Sequence, residues 1–293
     1  MCIVFVILHY LTLQDTLEAV ASIRLFEPSA KVVVVDNASN NGSLEKLEAK
    51  FVNDPDISIV AADENLGFAR GNNLGIAVAF EQYSPSLICL MNNDVQLIGK
   101  ISHCIEQEFA KSKFAVLGPM IYTADGRCCD NPGRNEPIGL DEVKKIIREN
   151  QKYTLLNRWH LWKPYNLFNF LFHRSTVDLA QFSQHKKFLE PAENVQLHGS
   201  FLVLSKEYFK VFTGLYDKTF LYMEEEILFY QVRKAGLKTV YLPEIKVFHK
   251  EDSSSRALWS DVKKRSEKKN EYILNSAKHL QNLMEGKNEA SGN

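Results

Sequence analysis

"KVVVVDN", residues 31–37, places four consecutive valines directly before an Asp-Asn pair. Valine is β-branched and suits a pleated strand, and the apolar run is shorter than a typical helix. Because apolar and polar residues do not alternate within it, both faces of the strand are expected to be buried, as in a parallel sheet with helices on either side. The stretch therefore predicts an inner strand that ends in polar side chains.

Three further segments have the same character, namely "CIVFVILHY" (2–10), "ISIVAAD" (57–63) and "LICLMNNDV" (87–95). The intervening segments carry apolar residues at helical spacing, which are Leu13, Leu17 and Val20, then Leu44, Leu47 and Phe51. Residues 67–80 are interpreted as a loop that leads into a helix. Alternating strands and helices predict an α/β fold with a mostly parallel central sheet flanked by helices.

The predicted strands end in clusters of polar residues, which are, in order, Asp36-Asn37, Asp63-Glu64-Asn65 and Asn92-Asn93-Asp94. One such cluster is often only a turn, because Asn and Asp bond readily to nearby backbone groups. The carboxyl ends of parallel strands meet at one edge of a sheet, and open α/β sheets bind ligands there. Three clusters at the same edge therefore predict a binding site.

Composition narrows the class of protein. The chain of 293 residues is 45% hydrophobic and 24% charged, as expected for a soluble globular protein. A formal net charge of −1 argues against nucleic acid as a partner. The five scattered cysteines favour a reducing cytosol, and the adjacent Cys128-Cys129 pair lacks the spacing of zinc ligands. The apolar segment 1–11 is too short to cross a bilayer, so a cytoplasmic location is expected.

The chain lacks the motifs of the commonest α/β enzymes. The turn after the first strand, "HYLTLQDT", has no G-x-G-x-x-G dinucleotide fingerprint. The G-x-x-x-x-G-K-[ST] phosphate loop and the G-x-S-x-G hydrolase elbow are also missing from the sequence. A ligand must therefore be bound by the carboxylates and amides at the strand ends.

The second half of the sequence is less regular. Residues 124–139 are rich in Gly, Pro, Asp and Asn and predict a loop, whereas residues 237–249 predict a last pair of strands. The aromatic stretch 153–173 is interpreted either as a cluster packed on the core or as a wall that receives an acceptor. After Glu251 the chain becomes polar and basic, with a helical pattern in Tyr272, Leu274 and Leu280.

Five motifs occur in order along the chain, namely "VDNASNNGS" (35–43), "ENLGFARGNN" (64–73), "MNNDV" (91–95), "HGSFLVLSKEYF" (198–209) and "FLYMEEEILFYQVRKAG" (220–236). Together they resemble the inverting family-two glycosyltransferases with a GT-A fold, especially the rhamnosyltransferase-type enzymes of bacterial capsule, exopolysaccharide and O-antigen synthesis. The resemblance implies a single GT-A domain. Residues 1–98 would bind the nucleotide-sugar donor, residues 99–250 would bind the acceptor and carry the catalytic base, and residues 251–293 would form a basic helical tail.

The resemblance implies a UDP- or dTDP-sugar as donor, with dTDP-rhamnose as the first expectation. Asp36 would accept a hydrogen bond from N3–H of uracil or thymine, and Gly67 would let the backbone approach the nucleotide closely. Arg70 would offer forked donors to a phosphate, unless it forms only a surface salt bridge. The expected donor-binding residues are Tyr10, Asp36, Asn65, Gly67, Arg70, Asn73, Asn92 and Asn93.

A leaving diphosphate needs its charge neutralised, which Mg²⁺ or Mn²⁺ achieves with one or two protein carboxylates. Asn92-Asn93-Asp94 is similar to the D-x-D motif of the family with Asn at the first position, which leaves Asp94 as the expected carboxylate ligand. His249 matches a position where many GT-A enzymes have another metal ligand. A single histidine at a strand end is also often structural.

The general base is expected in "MEEEIL", residues 223–228, where the resembled pattern is usually G-E-D-x-D-L. The second acid of that pattern matches Glu225, and Glu224 is the other catalytic candidate. The base would deprotonate the acceptor hydroxyl as it attacks the anomeric carbon, in a single displacement that inverts the configuration. Glu224 and Glu226 could instead only stabilise the start of a helix.

The expected acceptor is a saccharide or an undecaprenyl-diphosphate-linked saccharide. His198 and Gly199 match a segment that lies close to the sugar and acceptor in the family, and Trp159 and Trp162 would stack on a sugar or a prenyl chain unless they are core residues. A basic run would suit peripheral contact with the inner face of the membrane. It consists of Lys263, Lys264, Arg265, Lys268 and Lys269.

Two other functions stay open from the sequence. A sugar nucleotidyltransferase shares the sheet and the metal chemistry, but it should carry a Gly-rich phosphate loop that residues 10–27 do not supply. The departures from the family pattern at Asn92 and Met223 leave room for a non-catalytic subunit that binds nucleotide sugars. The retained Asp94 and Glu225 argue against such a subunit.

Overall fold

The computed structural model describes residues 1–123, 131–158, 188–250 and 262–287. The strands in the described residues are β1 (Ile3–His9), β2 (Lys31–Asp36), β3 (Ile57–Ala61), β4 (Leu87–Asn92), β5 (Val95–Leu97), β6 (Val116–Thr123), β7 (Ala192–Glu193), β8 (Phe201–Ser205) and β9 (Thr239–His249). The helices there are α1 (Leu13–Phe26), α2 (Ser43–Phe51), α3 (Gly67–Tyr83), α4 (Ser102–Ser112), α5 (Leu140–Arg158), α6 (Lys206–Phe209), α7 (Glu224–Lys234) and α8 (Val262–Glu285).

One sheet of nine strands runs through both halves of the chain in the order β3-β2-β1-β4-β8-β6-β9-β5, with β7 paired to β9. The first four strands of this order are parallel. Beyond β4 the sheet is mixed, because β8 enters between β4 and β6 in the opposite direction to both. The predicted α/β fold with a helix-flanked central sheet is confirmed, with the parallel strands concentrated in the amino-terminal half.

The valine run of β2 is completely buried, as predicted. Val32 and Val34 belong to the core on the side of α1, and Val33 and Val35 belong to the core on the side of α3. Successive side chains of a strand point to opposite faces, so a strand covered on both faces must be apolar throughout. This explains why residues 31–37 predict the layered architecture.

The predicted pair of strands at residues 237–249 is wrong, because these residues form the single strand β9. Its parallel register with β6 shifts where Pro119 pairs with Leu242 and Met120 pairs with Lys246. Proline has no N–H to donate to the ladder, and Pro243 lies within the skipped residues. The break that the sequence indicates is therefore a bulge and not a turn.

Two helices outside the sheet, α5 and α8, pack against each other and against the start of α7. Their shared apolar cluster contains Ile138, Val143, Ile147, Met223, Ile227, Ala277 and Leu280. The helical pattern predicted around Leu280 is confirmed, whereas α5 was not predicted because its apolar stripe is narrow. Within the described ranges, no helix is both long enough and apolar enough to cross a bilayer.

Candidate active site

A cavity of about 740 Å³ opens at the carboxyl ends of β1 and β4 and reaches the start of α7. This volume lies in the range of small-molecule sites in proteins. The predicted residues that line the cavity are Tyr10, Asn65, Gly67, Asn92, Asn93, Asp94, His198, Gly199, Glu224, Glu225 and His249. The fold therefore brings most of the expected donor, metal, acceptor and base residues to one place.

Asp94 and His249 are adjacent because β5 pairs with β9. Asp94 directly precedes β5, His249 is the last residue of β9, and Val95 lies opposite His249 in the antiparallel register. Asp94 Oδ1 is 3.3 Å from His249 Nε2, and both side chains are largely buried at the wall of the cavity. A carboxylate and an imidazole thus face each other where a cation could bind.

The donor set at this point fits a divalent cation that completes its shell elsewhere. Mg²⁺ and Mn²⁺ are commonly held by one or two protein groups together with substrate phosphates and water. In the part of the chain that the structure describes, no group of three or more His, Cys, Asp or Glu side chains could hold a metal ion. A cation held by Asp94 and His249 would complete its shell with phosphate oxygens and water.

Asn92 and Asn93 link this edge to its surroundings. The Asn92 N–H donates to the Ser200 carbonyl at 2.9 Å, which joins the end of β4 to the residue before β8. Asn93 is buried, and its side-chain amide donates to the hydroxyls of Thr12 and Thr16 at 2.8 and 3.1 Å. These bonds hold the segment that presents Asp94.

A tight turn at residues 65–67 forms the next part of the wall. Asn65 Oδ1 accepts hydrogen bonds from the Gly67 N–H at 2.9 Å and from the Asn37 side-chain amide at 3.1 Å. Gly67 has a φ of +75°, and a Cβ there would lie 2.3 Å from the Phe220 carbonyl oxygen. Only glycine fits this close approach. Asn37 lines the cavity but was not among the predicted contacts.

Asp36 lies beneath the cavity and not in its lining. It is 3% exposed, and its Oδ2 accepts from the Ser39 N–H at 3.3 Å. Its Oδ1 is 3.6 Å from Nε2 of the fully buried His9, and it accepts no hydrogen bond from the described residues. Burial lowers the pKa of His9, with Asp36 acting in the opposite direction. Asp36, which is expected to bind the nucleobase, is therefore largely inaccessible from the cavity.

Arg70 and Asn73 also lie outside the cavity lining. The Arg70 guanidinium is half exposed and 3.4 Å from a Glu64 carboxylate oxygen, which is the surface salt bridge left open by the sequence. The Asn73 side chain donates to the carbonyl of Leu215 at 2.8 Å and accepts from its N–H at 2.7 Å. It therefore holds α3 to the chain before α7.

Glu225 is oriented by a backbone donor from across the cavity wall. Its Oε1 accepts the Gly199 N–H at 3.0 Å, and a Cβ at residue 199 would lie 3.1 Å from the same oxygen. The apolar residues Ile227 and Leu228, one turn into α7, are buried and fix the helix against the cores. The carboxylate is therefore placed by the sheet and by α7 together.

Glu224 and Glu226, on either side of Glu225, both have a raised pKa. Burial, followed by the charge of Glu225, raises the pKa of Glu224 to about 8, and its Oε1 is buried without a hydrogen bond from the described residues. Burial and then Glu225 also raise the pKa of Glu226. Three acids at one helix start exceed what stabilising the helix dipole requires, since the dipole favours each by only a few tenths of a kcal/mol.

The backbone before these acids is in an uncommon conformation. Tyr222 and Met223 have φ values of +69° and +67°, in the left-handed region where most side chains are strained. This explains the glycine that the resembled pattern has at the position of Met223. Met223 is nevertheless buried, because its side chain belongs to the apolar cluster between α5, α7 and α8.

His198 lies beside the Asp94–His249 pair. The centre of its ring is 5.8 Å from that of His249. The backbone N–H of His198 donates to Asn131 Oδ1 at 2.7 Å, and the ring Nδ1 of His198 accepts from the backbone N–H of Ser200 at 3.1 Å. The buried Asn131, which was not predicted, therefore supports the segment that carries His198 and Gly199.

The far wall of the cavity was largely missed from the sequence. It includes Ile146 of α5, Tyr272 and Ile273 of α8, and the connecting residues Phe220 and Tyr222. Tyr272 belongs to a helical pattern in the sequence, but nothing in that pattern indicates that the helix lies beside the cavity. Trp159 and Trp162 lie outside the described residues, as do the side chains of Lys263 and Lys264.

The amino-terminal part of the chain matches a family model. Residues 3–127 match the model described as glycosyl transferase family 2, a span that includes β1 and Asp94. This part of the chain is therefore similar to family-2 glycosyltransferases. The predicted enzyme class is thereby confirmed, and the matched residues include part of the cavity described above.

A sequence relative of this chain occurs in Mycobacterium tuberculosis. It is N-acetylglucosaminyl-diphospho-decaprenol L-rhamnosyltransferase, which is 25% identical over 233 residues. The match covers 76% of this chain and 67% of the relative, and the protein of a second strain matches equally. The resemblance to rhamnosyltransferases that the motifs indicated is confirmed at this level.

Solved structures share the fold. The crystal structure of S. aureus TarS 1-349 matches with a TM-score of 0.53 and 12% identity, over 98% of this chain and 74% of TarS 1-349. The crystal structure of GalNAc-T7 with UDP, GalNAc and Mn²⁺ matches with a TM-score of 0.56 and 13% identity, over 86% of this chain and 44% of that one. These likenesses support the GT-A fold expected from the sequence.

Proposed function

We propose that this family-2 glycosyltransferase transfers a sugar, L-rhamnose as the first candidate, from a dTDP- or UDP-sugar to a saccharide carried on a lipid diphosphate. The observation that carries the proposal is the Glu225 carboxylate, held by the Gly199 N–H in the same cavity as Asp94 and His249. The name of the mycobacterial relative supports rhamnose and a diphospho-polyprenol acceptor.

On this proposal, Glu225 is the general base. It removes the proton of the acceptor hydroxyl while that oxygen forms a bond to the anomeric carbon and the bond from this carbon to the diphosphate oxygen breaks. One displacement inverts the anomeric configuration. Glu224 holds its proton near neutral pH because its pKa is raised, which spares Glu225 a second negative charge beside it.

Asp94 and His249 would hold Mg²⁺ or Mn²⁺ together with the donor diphosphate. A cation there would neutralise the charge that develops on the leaving group. Asn92 and Asn93 keep Asp94 in place, and Gly67 and Asn65 shape the wall next to the nucleotide. On this proposal residues 1–98 supply most of the donor contacts, His249 adds one from the second half of the chain, and the base lies within residues 99–250.

Asp36 remains our proposed contact to the uracil or thymine base. An N3–H that donates to its Oδ1 would supply the hydrogen bond that this buried oxygen otherwise lacks in the described residues. Because Asp36 is only 3% exposed, this contact requires the side chain or the adjacent loop to move when the donor binds. Peripheral contact of α8 with the inner membrane leaflet also stays part of the proposal.

The proposal is tested with a panel of dTDP- and UDP-sugars, each with Mg²⁺, Mn²⁺ or EDTA, for the wild type and Glu225→Gln. We expect one donor to bind in a metal-dependent manner, and the variant to bind it equally while kcat falls about 10²–10⁴-fold, the usual loss for a missing general base. Glu226→Gln, in the same helical turn, is the matched control.

Absence of binding to any nucleotide sugar would refute the proposal. If Glu225→Gln keeps its turnover while Glu224→Gln or Glu226→Gln loses it, the base is assigned to that residue instead. NMR analysis of the product linkage measures inversion directly.

A further inference from the structure

A second cavity, of about 340 Å³, adjoins the first one. The residues that line it are Lys218, Phe220, Tyr272, Asn275, Lys278 and His279. Tyr272, Asn275 and His279 recur along α8 at spacings of three and four residues, so they lie on one face of that helix. We refer to this site as the basic cavity.

The two cavities share a wall. Phe220 and Tyr272 line both of them, with ring centres 4.8 Å apart and planes inclined by 35°. The Phe220 carbonyl accepts the Phe68 N–H at 2.9 Å, which ties this wall to the start of α3. A molecule that extends out of the main cavity past the ring pair would therefore enter the basic cavity.

Two of the described residues that line the basic cavity are positively charged. They are Lys218 and Lys278, and none of the described lining residues is a carboxylate. Within the described residues Lys278 forms no ion pair, and the Lys218 ammonium is 3.5 Å from Asp217, its exposed neighbour in sequence. Lys269 adds a further positive charge on α8, 5.3 Å from the ring centre of Tyr222 in the main cavity.

We infer that the basic cavity binds the diphosphate of the acceptor, while the acceptor sugar lies in the main cavity near Glu225. The inference rests on the proposed function. Lysine ammonium groups bind phosphate as compact charges, and here two of them face a space of suitable size. The donor diphosphate is already assigned to Asp94 and His249, so the lysines serve a second anionic group.

The first experiment uses inorganic pyrophosphate as the probe, measured by calorimetry on the full chain. EDTA is present so that a cation at Asp94 and His249 does not recruit the probe. The double variant Lys218→Gln/Lys278→Gln should bind pyrophosphate at least 10-fold more weakly than the wild type. The control is Lys46→Gln/Lys50→Gln, which removes two exposed lysines of α2 and should bind it as the wild type does.

The second experiment compares two acceptors with the same alkyl chain, an N-acetylglucosaminyl diphosphate and an N-acetylglucosaminide without phosphate. We expect the Lys218/Lys278 double variant to raise KM for the diphosphate acceptor about 10-fold or more, with little change for the phosphate-free acceptor. Its affinity for the nucleotide-sugar donor should stay as in the wild type.

The outcomes separate this inference from the proposed function. A wild type that neither binds a nucleotide sugar nor transfers a sugar refutes the proposed function. A wild type that uses the diphosphate acceptor, with an unchanged KM in the double variant, refutes the inference alone. A loss of donor affinity in the double variant also refutes it, because the lysines would then serve the donor. The double variant could also lose activity equally with both acceptors, and only when anionic vesicles are present. The lysines would then bind lipid headgroups, and this result would refute the inference as well.

Discussion

Glu224 shows how one buried carboxyl sets a pH dependence. Below the usual glutamate pKa of 4.5 both the folded and the unfolded chain hold the proton, so burial has little electrostatic cost. Between that value and about 8 the unfolded chain releases the proton while the folded chain retains it. Deprotonation then lowers the free energy of the unfolded state relative to the folded state, so Glu224 reduces stability as the pH rises through this window.

We therefore predict that Glu224→Gln stabilises the protein at pH 8 and has little effect at pH 5. A gain of about 1–2 kcal/mol corresponds to a melting temperature higher by about 2–6 °C. Thermal unfolding at the two pH values measures the effect. The exposed Glu136→Gln is the control and should show no pH-dependent gain. An equal gain at both pH values would contradict the titration of Glu224.

Met223 combines a strained backbone with a buried side chain. Both Met223→Ala and Met223→Gly should destabilise the protein, by about 2–4 kcal/mol, because the apolar cluster with α5 and α8 loses a side chain. We predict that the glycine variant is the more stable of the two by about 1 kcal/mol, because only glycine adopts the positive φ without strain. Denaturant unfolding measures both. An alanine variant at least as stable as the glycine variant would show that the backbone is not strained at this position.

At this scale the residue types could be predicted from the sequence, but not their exposure. The motifs assigned Asp36 and Arg70 to the donor because their chemistry suits a base and a phosphate. Whether a carboxylate faces a ligand or a histidine depends on packing that no motif describes. The structure places Asp36 next to His9 and Arg70 next to Glu64.

Among the structural elements, α3 depends on the contact of its first residue with a distant loop. Gly67 begins α3, and the Phe220 carbonyl approaches it so closely that no side chain fits. This contact joins the turn at residues 65–67 to the wall of the cavity that contains the ring pair of Phe220 and Tyr272. The start of α3 and that wall must therefore move together.

We predict that Gly67→Ala lowers the free energy of unfolding by about 2–4 kcal/mol, because the Cβ would collide with a backbone oxygen and the residue would keep a positive φ. Donor affinity should fall as well, since the turn lines the cavity. Gly99→Ala is the matched control, because a Cβ there meets no atom within 4 Å. Denaturant unfolding and donor titration measure the two effects, and equal stability of the two variants would contradict the prediction.

Among the elements, strands with continuous apolar runs were the easiest to predict. The valines of β2 predict a buried strand, because a strand that is covered on both faces is apolar at every position. The helix α5 leaves only a weak signature, since it buries a few residues such as Val143 and Ile147 against α8. The bulge in β9 resembled a turn because proline interrupts the hydrogen bonds of a strand and is also common in turns.

For the whole molecule, the parallel half of the sheet was predictable because its contacts follow the order of the chain. The mixed half depends on β8, which comes from beyond residue 200 and inserts between β4 and β6. No local pattern in Phe201–Ser205 indicates its neighbours. The same reason applies to the far wall of the cavity, which α5 and α8 form by packing across more than one hundred residues of sequence.

We predict that a fragment of residues 1–98 associates with itself. It would keep β4 but lose β8, which leaves Leu87–Met91 as an apolar strand without a partner on one side. Unpaired edge strands of this kind bind other chains. Sedimentation of the fragment and of the full chain at equal concentration measures the difference, and a monomeric, folded fragment would show that the parallel half is independent.

The pairing of β4 with β8 also limits how such enzymes can exchange parts. The first four strands and the later strands belong to one sheet, so recombination that swaps the two halves of the chain between relatives would have to rebuild every main-chain hydrogen bond between β4 and β8. The helices α5 and α8 line the cavity from outside the sheet. Exchange of these helices would alter the far wall of the cavity while the sheet remains intact, and if the acceptor binds there as proposed, such an exchange would change acceptor choice.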